Sequence, residues 1–188
     1  MVRLFFGLTP GPPLQAEIAS ATAALRESVP ELAWVPAERL HVTLKFLGEI
    51  PEDRLPALVE AATAAVRAVA SHDVSFEGVG GFPNLRRPRV VWLGMDASPS
   101  LARLAGNLDG VGALVGVPLE SRPFRPHVTL ARAKAPLTPS AGARLVQRAA
   151  EVGVRFRMRV RDVALVRSRP GAAGSHYDVL STIPLIDR

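Results

Sequence analysis

Apolar positions along this 188-residue chain repeat with two periods, which alternate from the first residues to the last. A period of two is typical of strands with one buried face, and it predicts eight strands. These lie at residues 2–8, 39–47, 74–79, 89–95, 127–132, 154–160, 162–166 and 177–183. Helical spacing follows the proline-rich breaks and predicts four helices, at residues 14–25, 55–69, 101–111 and 140–150. The chain therefore mixes strands and helices without a low-complexity linker.

The tetrapeptide His-Val-Thr-Leu occurs twice, at residues 41–44 and 127–130, and contains two of the four histidines. The copies are 86 residues apart, one in each half of the chain. An internal repeat at this distance predicts two related lobes that face each other. Strand alternation places His41 and Thr43 on one face, and likewise His127 and Thr129, with the apolar residues of each motif behind them.

An imidazole beside a hydroxyl suits the chemistry of phosphate esters. The pKa of imidazole is roughly 6.5, so one histidine can accept a proton while the other, charged, donates one. Each transfer accelerates a reaction by about 10²- to 10⁴-fold, and a threonine hydroxyl can donate a hydrogen bond to a phosphoryl oxygen. No metal or other cofactor is needed. The structural alternative is a pair of core histidines that recur because the two lobes share ancestry.

The repeated motif resembles that of the two-histidine (2H) phosphoesterase superfamily. Within that superfamily the chain is most similar to the bacterial RNA 2',3'-cyclic phosphodiesterases, formerly called 2'-5' RNA ligases. The similarity extends beyond the motifs in family order across nearly the whole chain. It includes residues 3–8, 45–48, 78–83, 89–94, 122–127 and 131–132, and the closing Ser168 and Tyr177.

This resemblance implies an α+β fold. It is a bilobal, duplicated fold with a pseudo-twofold axis, antiparallel sheets lining a central cleft and helices outside, formed by residues 1–188 as a single domain. The implied reaction hydrolyses a terminal 2',3'-cyclic phosphate on RNA to a 2'-phosphate. The family's usual assignment makes His41 the proton donor to the departing 3'-oxygen and His127 the acceptor that activates water. The sequence alone does not order those two roles.

Three further residues are candidates for binding substrate. Arg132 and Phe46 each lie five positions after a motif histidine, where the family has a phosphate-binding guanidinium and an aromatic platform for a base. Strict alternation places both on the face opposite their histidine, unless a bulge or strand end returns them to the cleft. Arg125 shares the face of His127 if that strand begins early enough, and is otherwise a solvated loop charge.

The composition is that of a folded soluble protein, and its charge favours an anionic partner. The net charge is +6 with a pI near 11.1, and arginines outnumber lysines 21 to 2. Guanidinium groups suit phosphate contacts, although a GC-rich genome also enriches arginine. The expected partner is RNA with a 2',3'-cyclic phosphate end, tRNA fragments being one candidate. No signal peptide or membrane span is recognisable, so a cytoplasmic location is expected. A monomer is expected as well, although the sequence does not fix the oligomeric state.

Other functions stay open at this point. A noncatalytic module could hold an RNA end in the same cleft by its basic charge. A phosphodiesterase could instead act on small cyclic nucleotides, as other members of the superfamily do. Joining of 2'-5' RNA ends would reverse the hydrolysis in the same site, and competition from water predicts that it is a minor activity.

Overall fold

The computed structural model describes residues 1–153, 155–171 and 174–187. In these ranges strands and helices alternate as the apolar periods predict. The strands are β1 (Val2–Leu8), β2 (Leu32–Trp34), β3 (Val42–Ile50), β4 (His72–Phe82), β5 (Val90–Met95), β6 (His127–Ala133), β7 (Phe156–Val160), β8 (Asp162–Arg169) and β9 (His176–Pro184). The α-helices are α1 (Pro12–Ala21), α2 (Ala23–Ser28), α3 (Leu55–Arg67), α4 (Pro99–Leu114) and α5 (Pro139–Glu151).

The strands form one antiparallel sheet in the order β7-β4-β5-β6-β3-β1-β8-β9, with β2 added beside β6. The order is symmetrical about the junction of β6 and β3, which are the strands that carry the two motifs. Four strands of this order lie on each side, so the two expected sheets are the halves of a single one. The two halves of the sheet do not correspond to the two halves of the chain. Strands β8 and β9, from the end of the chain, join β1 and β3, whereas β4 and β5 join β6.

The helices pack on one face of the sheet and leave the other face free. On β1, the alternate residues Leu4, Phe6 and Leu8 are almost fully buried in the main core, which α3 and α4 complete. A smaller core lies where α2 and α5 pack beside β2, β5 and β6. Full burial of one such side chain stabilises the fold by roughly 1.5–3 kcal/mol. The opposite face carries the polar residues of both motifs.

One charged pair holds helix α4 against the back of strand β3. Lys45 is 7% exposed, and its Nζ lies 2.5 Å from a carboxylate oxygen of Asp109 on α4. The same ammonium donates to the carbonyl oxygen of Pro118 at 2.7 Å, and the carboxylate accepts the backbone N–H of Glu120. This ion pair therefore holds α4 against the face of β3 that is opposite to His41.

Several boundaries differ from those predicted. The helix predicted over residues 14–25 is wrong as one element, because it breaks at Thr22, whose hydroxyl donates to the carbonyl oxygen of Ile18 at 2.8 Å. The short strand β2 was not predicted. The strand predicted at 39–47 begins only at Val42, after a 3₁₀ turn at Ala37–Arg39. Val154, where the sixth predicted strand starts, lies outside the described residues.

In the part of the chain that the structure describes, no helix is long and apolar enough to span a membrane.

Candidate active site

The two motifs meet where the halves of the sheet join. Within the described residues, Val42 of β3 and Val128 of β6 are the one pair that links these two strands. The antiparallel register, continued by one residue on either side, sets each motif histidine opposite the threonine of the other motif. The resulting neighbours are His41 with Thr129, and Thr43 with His127.

A β-bulge in strand β3 changes which residues face the cleft. Consecutive residues of β1 pair with Lys45 and Thr43, so Leu44 between them has no partner on β1. Leu44 and Lys45 are both buried, although strict alternation would place them on opposite faces. Phe46 therefore returns to the face of His41.

Strand β6 has the same irregularity at the equivalent position. Consecutive residues of β5 pair with Ala131 and Thr129, and Leu130 is left between them. Leu130 and Ala131 are both buried, and Arg132 is exposed on the cleft side. Strict alternation is therefore broken in both strands, and the alternative of a bulge, which returns Phe46 and Arg132 to the cleft, is the one present.

His41, Phe46 and Arg132 line a pocket of about 350 Å³ on the cleft face of the sheet, whereas His127 and the two motif threonines lie outside its lining. Its lining combines an imidazole, two guanidinium groups, hydroxyls and aromatic rings. The lining residues are Arg3, Leu4, Phe5, His41, Phe46, Arg132, Ser168, Ser175 and Tyr177. A volume of this order accommodates a nucleotide-sized ligand.

A second depression of about 380 Å³ lies on the helical side of the sheet, between α3 and strands β8 and β9. Its lining consists of leucine, valine and proline side chains with Ser181. None of the described residues that line it has an imidazole, carboxyl or guanidinium group, so they offer no pair of groups for acid–base catalysis. The pocket beside His41 is the better candidate site.

Each motif histidine is oriented by the main chain just before it. Nδ1 of His41 lies 2.8 Å from the carbonyl oxygen of Arg39, and Nδ1 of His127 lies 2.7 Å from that of Arg125. A carbonyl oxygen only accepts, so Nδ1 carries the proton, and in the neutral ring Nε2 is left as an acceptor. His72 makes the same bond, so the bond alone does not mark a catalytic residue.

Aromatic rings surround both imidazoles and hold them in place. Two rings contact each histidine, one set from each half of the sheet. The centroid distances are 4.8 Å to Phe5 and 4.9 Å to Tyr177 for His41, and 5.3 Å to Phe82 and 6.2 Å to Trp92 for His127. These contacts restrict ring rotation and remove water from around the imidazoles.

Burial lowers the pKa of both His41 and His127 below the ordinary value of 6.5. The hydrogen bonds to the carbonyl oxygens of Arg39 and Arg125 act in the opposite direction. The positive charge of Arg132 lowers the pKa of both imidazoles further, because a nearby cation disfavours the protonated ring. Both shifts favour the neutral form of the two histidines at pH 7.

The two motif threonines are half-buried on the cleft face. Among the described residues, neither the hydroxyl of Thr43 nor that of Thr129 has a hydrogen-bond partner. Each lies in register beside the histidine of the other motif. Both hydroxyls are available to donate to an anion held between the two imidazoles.

The three predicted binding residues occupy different positions. Arg132 lines the pocket, and Phe46 lines it with 59% of its surface exposed, which is unusual for a core phenylalanine. Strand β6 begins at His127, so Arg125 precedes it and the condition for a shared face is not met. Its side chain is exposed, while its carbonyl oxygen orients the imidazole. Binding by these three residues stays a prediction.

Sequence reasoning did not single out the far wall of the pocket as a site. Arg3 and Phe5 share the cleft face of β1, and Ser168 pairs with Tyr177 across β8 and β9. Alternation along β1 could have identified Arg3, because the neighbouring Val2 and Leu4 are apolar. Phe5 lies within an apolar run, and no local signal separates it from the core.

The family model described as the 2'-5' RNA ligase superfamily matches residues 10–172 of the chain. A protein of Methanothermobacter thermautotrophicus named RNA 2',3'-cyclic phosphodiesterase is 32% identical over 94% of this chain and 95% of its own length. One of the same name from Thermus thermophilus is 34% identical over 98% of this chain and 90% of its own.

Solved structures are similar to this chain over nearly its whole length. A crystal structure of a Thermus thermophilus protein superposes with a TM-score of 0.79 at 31% identity, covering 97% of both chains. E. coli LigT complexed with 3'-AMP superposes with a TM-score of 0.76 at 28% identity, covering 98% of both chains. The predicted fold class is confirmed, since the duplicated antiparallel architecture is shared over nearly the full length.

Proposed function

Because the chain belongs to the 2'-5' RNA ligase superfamily, we propose that it hydrolyses the terminal 2',3'-cyclic phosphate of RNA to a 2'-phosphate. Relatives that match over nearly the whole chain bear the name RNA 2',3'-cyclic phosphodiesterase. The observation that carries the proposal is the junction of β3 and β6, which brings two imidazoles and two hydroxyls to one cleft. Residues 1–188 act in this proposal as one two-lobed unit, each lobe supplying one histidine.

The proposed reaction uses one proton transfer at each histidine. Nε2 of His127 accepts a proton from water as the water oxygen bonds to phosphorus. The bond from phosphorus to the 3'-oxygen breaks, and His41 donates its Nε2 proton to that oxygen. A 2'-phosphate and a free 3'-hydroxyl result, and exchange with solvent returns the histidines to their starting charges.

This sequence of steps requires His41 to be protonated when substrate is bound. Burial lowers the pKa of His41, but a phosphate anion beside the ring favours the charged form and acts in the opposite direction. Arg132, Thr43 and Thr129 stabilise the additional negative charge on the phosphoryl oxygens as the water attacks. The two imidazoles account for both proton transfers, so we propose that no metal takes part.

The test is incubation with a short RNA that ends in a 2',3'-cyclic phosphate, in the presence of EDTA. Chromatography against 2'- and 3'-phosphate standards identifies the product, and a 2'-phosphate places the acid at the 3'-oxygen. His41→Ala and His127→Ala should each lower the rate by about 10²-fold or more. His176→Ala is the matched control, because His176 is exposed and does not line the pocket. Circular dichroism checks that each variant is folded.

Hydrolysis that survives both alanine substitutions would overturn the two-histidine mechanism. RNA binding without turnover would instead select the noncatalytic module. The pocket volume also fits a mononucleotide, so nucleoside 2',3'-cyclic phosphates are the second candidate substrates and belong in the same assay. Ligation of 2'-5' ends, as the reverse reaction, is proposed as a minor activity. A monomeric, cytoplasmic protein stays a prediction.

A further inference from the structure

The guanidinium of Arg3 is a second cation in the pocket, and the reaction at the histidines does not use it. Arg3 is exposed on β1 and lines the pocket with His41. Among the described residues it makes no hydrogen bond or ion pair. The arginines of neighbouring β8 differ, because Arg167 and Arg169 both bind the carboxylate of Asp178. Of these three arginines, Arg3 is the one that makes no ion pair with a described residue, although Glu49 lies opposite it on β3.

The position of Arg3 separates it from the reacting phosphate. Arg132 lines the pocket with His41 and its charge lowers the pKa of both motif histidines, so the proposed reaction has Arg132 beside the reacting phosphate. Phe5 contacts the ring of His41 at 4.8 Å, and Arg3 precedes Phe5 by two residues on the same face. That spacing is about 6–7 Å along a strand. Arg3 therefore lies farther out along the same wall.

Hydroxyl groups lie beside Arg3 in the sheet. Leu4 pairs with Arg167, so the antiparallel register places Arg3 opposite Ser168. Ser168 in turn pairs with Tyr177. All three residues line the pocket. A guanidinium with neighbouring hydroxyl donors matches the hydrogen-bonding needs of a phosphate.

We infer that Arg3, with Ser168, binds the phosphate on the 5'-oxygen of the terminal nucleoside. The inference rests on the proposed function, which holds the 2',3' edge of the ribose at the histidines. The 5'-oxygen lies at the opposite end of the same ribose and would point toward the outer part of the pocket. That phosphate is either the monoester of a 5'-phosphorylated mononucleotide or the diester that joins the terminal nucleotide to the preceding one.

The test compares kcat/KM for three substrates. They are adenosine 2',3'-cyclic phosphate, the same compound with a 5'-phosphate, and a dinucleotide that ends in adenosine 2',3'-cyclic phosphate. We expect a 5'-phosphate to raise kcat/KM by about tenfold. Arg3→Gln should bring this ratio close to one, whereas Arg103→Gln should leave it unchanged. Arg103 is an exposed arginine on α4, on the helical side of the sheet, and its loss changes the net charge equally.

The two phosphate sources give different results. A gain with both phosphorylated substrates identifies any 5'-phosphate as the ligand, and a gain with the dinucleotide alone identifies the diester. A ratio near one in the unsubstituted protein, or a ratio that Arg3→Gln does not lower, overturns the inference.

Binding by calorimetry separates this inference from the proposed reaction. Adenosine 2',5'-bisphosphate should bind more tightly than adenosine 2'-monophosphate, and Arg3→Gln should remove the difference. If no substrate is hydrolysed, the proposed function fails while the two affinities still decide the role of Arg3. Equal affinities in the unsubstituted protein would overturn it.

Discussion

Lys45 and Asp109 form an ion pair in which the two charges are buried to different extents. Removing one partner should therefore lower the free energy of unfolding by a different amount from removing the other. Lys45 is 7% exposed and Asp109 is 21% exposed, with 2.5 Å between their charged atoms. Asp109→Ala leaves a buried ammonium with only the carbonyl oxygen of Pro118 as a partner among the described residues. Lys45→Met leaves a partly solvated carboxylate that keeps the backbone N–H of Glu120.

The expected costs follow from this asymmetry. A buried charge that loses its partner destabilises a protein by about 3–5 kcal/mol, and we assign this range to Asp109→Ala. Loss of a charged hydrogen bond at a partly exposed acceptor costs about 1.5–3 kcal/mol, and the apolar stem of methionine fills the space of Lys45. We therefore expect Lys45→Met to cost about 1.5 kcal/mol, at the low end of that range. The double variant should cost less than Asp109→Ala alone, because no buried charge is left.

Urea unfolding at pH 7 measures the three free energies of unfolding. Glu151→Ala is the control, since Glu151 pairs with Arg148 at 2.7 Å with both side chains about half exposed. That loss should cost about 0–1 kcal/mol. Equal costs for Asp109→Ala and Lys45→Met, or additive costs in the double variant, would show that burial does not set the asymmetry.

The same pair has a predicted pH dependence. The hydrogen bond from Lys45 holds the pKa of Asp109 below its ordinary 3.8. A carboxyl with a lowered pKa in the folded state stabilises the fold above pH 3.8, and this contribution is lost as the pH falls through the folded-state pKa. In Lys45→Met the loss of stability with falling pH should be smaller in that window. The assignment would be contradicted if the free energy of unfolding of Lys45→Met fell with pH as steeply as that of the unsubstituted protein.

Three further predictions concern the cleft. Arg132→Gln should lower kcat/KM by about 10²- to 10³-fold and raise the pKa of both motif histidines, because a nearby positive charge is lost. Histidine titration by NMR and the ascending limb of the pH–rate profile should both move to higher pH. Unchanged histidine pKa values would contradict this prediction. Phe46→Ala should weaken RNA binding by about 1–3 kcal/mol, read as a higher KM with little change in kcat; a fall in kcat at constant KM would count against a base platform. Gly80→Ala should displace the indole of Trp92, since a Cβ there would lie 2.1 Å from the ring. The displaced ring should in turn disturb His127 and lower kcat. An unchanged kcat with native near-ultraviolet circular dichroism would show that the indole does not position His127.

The fold was predictable wherever one face of an element is buried. Strand β1 begins and ends at the predicted residues, because Val2, Leu4, Phe6 and Leu8 alternate against the main core. The break at Thr22 was not predictable from spacing, since the apolar period continues through it into α2. Strand β2 is only three residues long and exists because β6 offers it an edge.

The faces of Phe46 and Arg132 were left open by the sequence for a related reason. Period-two alternation carries no sign of a bulge, which is a mismatch between the lengths of two paired strands. The slip at Leu44 exists only relative to β1, and the slip at Leu130 only relative to β5. Both slips move the fifth residue after a histidine, Phe46 or Arg132, to the cleft face.

Local sequence was enough to specify the chemistry of the cleft, namely two imidazoles each beside a hydroxyl, and the strands that carry them. Composition and period suffice for this, because side-chain chemistry and strand formation depend on near neighbours along the chain. The presence of Arg3 and Tyr177 in the pocket of His41 followed only from the folded arrangement, since strands from both ends of the chain form that wall. Such contacts depend on strand order and register, which are set by burying all apolar faces at once.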